Sequence, residues 1–317
     1  MGDDENLQNH PNWNAILQWS LRFQDEPSEN RVLEPMDQER RQFLTRAFEN
    51  YSAMVADPVK SMRGHVVVLK NPDSSKEECV LALEDIADHA EDLDEANDLY
   101  LMGGLQVCCA YIKHNDPELQ SLACEVIANA VQNNEKIAQF ASDTFVLSDL
   151  LKLVDNSAND TVRVKSLLAV SCLVRGNTAA LEKFNQHEGY NVIVRALQSP
   201  LHKLQIKSLF LINHVCVEST DQCQLYSSMG VPHQLFAMCD RFATEDRTAE
   251  SYDATLQITL KLLLHLVERC DVQFPPHAAA SFETLRVCLV EDSVEEEREI
   301  CKKLKNHCPA PADEVDR

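Results

Sequence analysis

Apolar and small residues fall at helical spacing in four stretches that align one under another: ALEDIADHA (82–90), ACEVIANAV (123–131), SLLAVSCLV (166–174) and SLFLINHVC (208–216). Each is followed by a polar turn and a second amphipathic stretch, DEANDLYLM, NEKIAQFAS, TAALEKFNQH and TDQCQLYSSM. A third stretch then opens on a turn, in GGLQVCCAYI, FVLSDLLKLV, GYNVIVRAL and GVPHQLFAMC. The openings fall at Gly104, Phe145, Gly189 and Gly230, in steps of 41, 44 and 41 residues. A fifth copy of the first stretch, TLKLLLHLV (259–267), follows a longer insertion, RFATEDRTAESYD.

One long helix and two shorter ones every forty-odd residues predict an all-α, right-handed solenoid of armadillo repeats. A single repeat cannot bury its apolar stripe; stacked neighbours make a continuous core, and polar-faced helices close the ends. The turn glycine separates armadillo from HEAT geometry, and Phe145 is the one departure, so that turn is expected to be less tight. At the N-terminal end PMDQERRQFLTRAFENYS (35–52) reads as a cap, with an Asp N-cap and a stripe of Phe43, Leu44, Ala47, Phe48 and Tyr51. AAASFETLRVCLV and VEEEREICKKLK supply two closing helices before a Pro-rich tail. The expected organisation is an N-terminal segment (1–34), capping helices (35–75), armadillo repeats (76–271), and C-terminal capping helices with a tail (272–317).

Composition narrows the function. Twenty-nine Lys and Arg against 51 Asp and Glu give a net charge of −22, which repels nucleic acid and anionic membranes. No window approaches the roughly 20 apolar residues of a membrane span. The start, MGDDENLQNH, reads as neither a secretory signal nor a myristoylation site, since position 6 is Asn6. The twelve cysteines sit at helix-like positions, as small apolar residues of a reducing compartment. These readings place the protein in the cytosol.

Candidate chemistry is sparse. Seven glycines leave no GxGxxG and no GxxxxGK[ST]. CKKLKNHC, with Cys301, His307 and Cys308, lacks the second ligand pair that a zinc site wants and reads as a frayed terminal helix. His265 and Cys270 read as helix positions rather than a dyad. No catalytic residue, metal site or cofactor is expected.

The third helix of an armadillo repeat lines the face that solenoids use for binding. A column that often carries a peptide-binding Asn reads Asp88, Asn129, Cys172, His214 and His265 here, which argues against an extended-peptide groove. A neighbouring column reads Leu81, Leu122, Lys165 and Lys207, and another Glu84, Glu125, Leu168, Phe210 and Lys261. The face is therefore expected to be acidic toward the N-terminal repeats and basic or apolar in the middle. Asn129, Arg163, Lys165 and His214 are candidate contacts by column position.

PMDQERRQFLTRAF, DTVRVKSLLAVSCLVR, LQIKSLFL and the ending CPAPADEVDR resemble the Hsp70-binding-protein family, armadillo-type nucleotide exchange factors of heat-shock-70 chaperones related to the yeast protein Fes one. The resemblance runs from about residue 14 to the tail, and DTVRVKSLLAVSCLVR is its most specific piece. It implies a non-enzyme whose concave armadillo face embraces one lobe of the chaperone's ATPase domain and favours a state from which ADP leaves; a monomer is expected. It also implies Ala96, in LDEANDLY, and Lys207, in LQIKSLFL, as contact positions. The other reading is a general armadillo adaptor, such as a cargo or ubiquitin-ligase scaffold, without exchange activity. The ending DEVDR looks like the motif by which chaperones dock on tetratricopeptide modules, but Arg317 follows the Asp, so it reads as coincidence.

NWNAILQWSLRFQDE (12–26) holds both tryptophans of the chain. Its apolar residues Trp13, Ile16, Leu17, Trp19, Leu21 and Phe23 lie almost all round a helix, so no face is a natural docking stripe. The choice is between a terminal helix packed on the solenoid and a release segment. ILQWSL resembles the N-terminal segment of yeast-type members, and the resemblance implies that residues 13–24 compete with clients for the chaperone's substrate-binding domain.

Overall fold

A computed structural model describes residues 42–43, 45–46, 57–244, 252–289 and 295–309. The chain divides into two units, Met1–Ser61 and Met62–Arg317. In the first, Gln42, Phe43, Thr45 and Arg46 are helical, as expected of the stretch 35–52; the rest of that stretch lies outside the described residues.

The remaining described elements are helices, and no strand occurs among the described residues. A leading pair, α1 (Pro58–Lys70) and α2 (Lys76–His89), precedes four triples. These are α3 (Leu93–Leu101), α4 (Gly104–Tyr111) and α5 (Pro117–Val131); then α6 (Glu135–Asp143), α7 (Val146–Asn156) and α8 (Asp160–Val174). The third is α9 (Thr178–Gln186), α10 (Gly189–Leu197) and α11 (His202–Glu218), and the fourth α12 (Thr220–Ser228), α13 (Val231–Thr244) and α14 (Tyr252–Arg269). A trailing pair, α15 (Ala278–Cys288) and α16 (Glu295–His307), ends the described fold. Each long helix packs on the next, α2 on α5, α5 on α8, α8 on α11 and α11 on α14.

Local sequence sets these boundaries. Ser75 and Glu78 close a capping box at the start of α2, Asp116 caps α5 with Pro117 behind it, and Asn159 caps α8. Asp92, Asn134, Asn177 and Ser219 do the same for the short first helices. Along α5, Leu119, Ala123, Cys124, Val126, Ile127 and Ala130 are buried, a stripe wide enough to meet a neighbour on either side. All twelve cysteines are free thiols, and eight of them are buried as small core side chains.

The turn glycines divide their work differently from the sequence expectation. The left-handed residue is Gly103 before α4, Glu188 before α10 and Gly230 before α13. Gly189 is needed for another reason: a Cβ there would stand 2.3 Å from the Phe184 ring. Phe145 opens α7 at φ −79° with no left-handed residue, and its side chain is 80% exposed.

Hydrogen bonds repeat the sequence period. Tyr111 donates to the Leu69 carbonyl at 3.0 Å, Lys183 Nζ to the Ser142 carbonyl at 2.6 Å, and Arg195 holds Asp155 at 2.8 Å through both its Nε and Nη2. Partners in these pairs stand about forty residues apart because the same side of each repeat faces the next. At the C-terminal end α16 takes the place of a further long helix. Glu297 Oε1 accepts from Gln257 Nε2 at 2.7 Å, and Glu296 pairs with Lys261 at 3.0 Å, so α14 is covered.

Candidate functional site: the outer side of the long helices

Residues left outside the core of the long helices recur at spacings of four, three and four. On α2 they are Glu77, Leu81, Glu84 and Asp88, all exposed. On α5 they are Glu118, Leu122, Glu125 and Asn129; on α8, Thr161, Lys165 and Leu168, whereas Cys172, next in the column, is buried in the core. On α11 they are Lys203, Lys207, Phe210 and His214. The expected gradient is present, carboxylates at α2 giving way to lysines and apolar side chains at α8 and α11.

Several of these side chains are already engaged with a neighbouring helix. Asn129 Nδ2 donates to the Ala87 carbonyl at 3.0 Å, so the amide that peptide-binding armadillo proteins turn outward is spent between α5 and α2. Lys165 Nζ is paired with Glu125 across α8 and α5. His265 Nδ1 shares a 3.1 Å hydrogen bond with Asn213 Oδ1, and burial lowers its pKa. His214 Nε2 stands 3.2 Å from Glu218 Oε1 on its own helix.

Lys207 differs. It is half-buried on α11, and neither it nor Lys203, one turn earlier, has a carboxylate within ion-pair distance among the described residues. Burial pushes the Lys207 pKa down, and Lys165, Arg175 and Lys203 add repulsion that the adjacent Cys172 only partly offsets. Burial in turn raises the Cys172 thiol against the opposing charges of Arg175 and Lys207. On a chain of net charge −22, Lys203 and Lys207 thus stand, among the described residues, without a carboxylate at ion-pair distance and near the further cations Lys165 and Arg175.

The remaining sequence candidates fall elsewhere. Ala96 is 1% exposed in the interior of α3, so its smallness serves the packing between helices and its side chain is not on a contact surface. Arg163 turns toward the second helix of its own repeat, its Nε donating to the Val154 carbonyl at 3.0 Å. Trp13, Ile16, Leu17, Trp19 and Leu21 lie outside the described residues. Column reasoning passed over Lys203 and Arg175; the four-residue step from Lys203 to Lys207 was the available signal, whereas Arg175 follows the last turn of α8 and has no column.

Among the described residues no group of three or more His, Cys, Asp or Glu side chains is placed to hold a metal ion, and no helix is long and apolar enough to cross a membrane. Cys301 is buried in α16, and the Cys308 thiol donates to the Leu304 carbonyl at 3.5 Å.

The fold defines an armadillo-type repeat protein. A designed armadillo repeat protein solved with a (KR)4 peptide superposes with a TM-score of 0.61 at 17% identity, over 77% of this chain and 98% of that one. Two family models match in succession, nucleotide exchange factor Fes1 over residues 13–99 and the SIL1/FES1/HPBP1 C-terminal domain over residues 95–234. The chain belongs to the SIL1/FES1/HPBP1 family. Hsp70-binding protein 1 of Homo sapiens is 33% identical over 216 residues, 65% of this chain and 60% of that protein. Hsp70 nucleotide exchange factor FES1 of Mycosarcoma maydis is 33% identical over 137 residues, 43% of this chain and 35% of that protein. The chain spans about 60% of the length of the Hsp70-binding proteins it matches.

Proposed function

We propose that the protein is a co-chaperone that binds the ATPase domain of an Hsp70 chaperone through the outer side of its long helices and accelerates ADP release. The observation that carries this reading is the family match over residues 95–234, the stretch that holds Lys165, Lys203 and Lys207. The chemistry required is linkage alone: a protein that binds the nucleotide-poor state more tightly weakens nucleotide by the same factor. No catalytic side chain is needed for that step. Twelve free thiols suit a reducing, cytosolic setting.

The deciding measurement is release of a fluorescent ADP analogue from the chaperone, with and without this protein. Acceleration is expected, and Lys207→Glu should slow it while leaving the helical melt intact. An unchanged rate with Lys207→Glu at low protein concentration removes Lys207 from the site. Binding without acceleration would favour a general armadillo adaptor.

Residues 13–24 are the client-release segment in this reading, competing for the chaperone's substrate-binding domain once the solenoid holds the ATPase domain. Deleting residues 1–27 should leave ADP release near normal and impair client release. Loss of exchange on that deletion would instead make the segment part of the fold.

A further inference from the structure

Phe210 lies on α11 three residues beyond Lys207 and is 48% exposed. The interior of α11 is already filled by Leu204, Leu209, Leu211, Ile212, Val215 and Cys216, so Phe210 is not a displaced core residue. In the same column α2 and α5 carry glutamates, α14 carries Lys261, and α8 carries the half-buried Leu168. A half-exposed aromatic side chain thus lies one and two helical turns from two lysines that, among the described residues, have no carboxylate within ion-pair distance.

That combination states the chemistry of its occupant. Aromatic side chains at the centre of an interface hold it when they are desolvated, and a surrounding ring of polar groups keeps water out. Lysines around such a centre call for carboxylates opposite them, and a basic partner surface would meet repulsion. A phosphate polymer is turned away by the charge of the whole chain and offers Phe210 no aliphatic surface.

We propose that Phe210 is the apolar anchor of the partner interface, and that it receives from a folded partner an apolar side chain flanked by carboxylates that pair with Lys203 and Lys207. This rests on the exchange-factor reading above, and the partner is the Hsp70 ATPase domain. The two parts act on different rate constants. The anchor slows dissociation, whereas the lysines speed association and confer its salt dependence.

The test is association and dissociation kinetics of the full-length chain with the isolated Hsp70 ATPase domain at low and high salt. Phe210→Ala should raise the dissociation rate on the order of 30-fold, with the association rate and its salt dependence retained. Phe210→Leu should recover most of that loss, and Lys203→Gln should lower and flatten the salt-dependent association rate with little effect on dissociation. An exposed position makes misfolding a weak alternative, and an unchanged helical melt checks it. A wild-type chain that binds while Phe210→Ala stays within about twofold of it overturns the anchor alone. A wild-type chain that neither binds nor releases ADP overturns the exchange-factor reading and this assignment with it.

Discussion

Lys207 carries a charge at a position where folding resists it. Burial and the cations of Lys165, Arg175 and Lys203 all favour its neutral form, so the folded pKa lies below the unfolded value of 10.5. The sign of the consequence follows directly. A depressed lysine pKa penalises the folded state in full below that pKa, and the penalty fades as pH rises through it toward 10.5. Lys207→Met keeps the side-chain length and removes the charge. It should raise the thermal midpoint at neutral pH by about 1–3 °C while slowing ADP release. A gain that persists undiminished above pH 10.5 would mean that packing, not charge, is its origin. The site was partly legible at this scale. The columns placed Lys165 and Lys207 on the side of their helices that faces away from the core, but nothing in the sequence shows that Glu125 answers Lys165 while, among the described residues, no carboxylate reaches Lys207. The burial of Ala96 was not legible for a related reason: a small residue in a short amphipathic helix reads the same whether a foreign helix or its own core approaches it.

Short connections between helices carry a constraint that composition alone conceals. The α9–α10 turn places the non-glycine Glu188 at φ 53° and follows it with Gly189, whose missing Cβ makes room for the fully buried Phe184. The glycine expected to supply the turn dihedral supplies clearance instead. Because Phe184 has no exposed direction in which to swing, Gly189→Ala should cost about 1–3 kcal/mol through overpacking. Glu188→Gly should be neutral or stabilising by up to about 1 kcal/mol, since a left-handed conformation costs an ordinary residue that much. Urea midpoints of the two variants read both effects, and equal losses at the two positions would sink the distinction. The helices themselves were legible, because caps such as Asp116–Pro117 and Asn159 and the apolar periodicity act within a few residues. The division of labour between adjacent turn residues was not, because it depends on where a ring from the preceding helix comes to rest.

The repeat period organises the second unit twice, first in the apolar stripes and again in the polar side chains that join one repeat to the next. Asn129 to Ala87, Lys165 to Glu125, Lys183 to Asp143 and Arg195 to Asp155 each cross a single repeat boundary, so corresponding helices of adjacent repeats are joined by side chains as well as by packing. The period made the architecture readable from sequence; the cross-links that use the same period became visible only with the helices in place. On the exchange-factor reading, the proposed partner-binding side spans several repeats held in register, and its effect on the chaperone is exerted through binding energy. That fixes a relation between two measurable numbers. If binding of this protein raises the chaperone's ADP dissociation constant by some factor, ADP must weaken the chaperone's grip on this protein by the same factor. Titration calorimetry of the chaperone with the protein, in the presence and absence of ADP, should return equal factors for both directions. Lys207→Glu should lower the affinity for both nucleotide states of the chaperone, and it should shrink the shared factor only if the salt link it breaks is made in one of them. A factor of one in both directions, with binding intact, would leave a docking protein with no means of driving exchange.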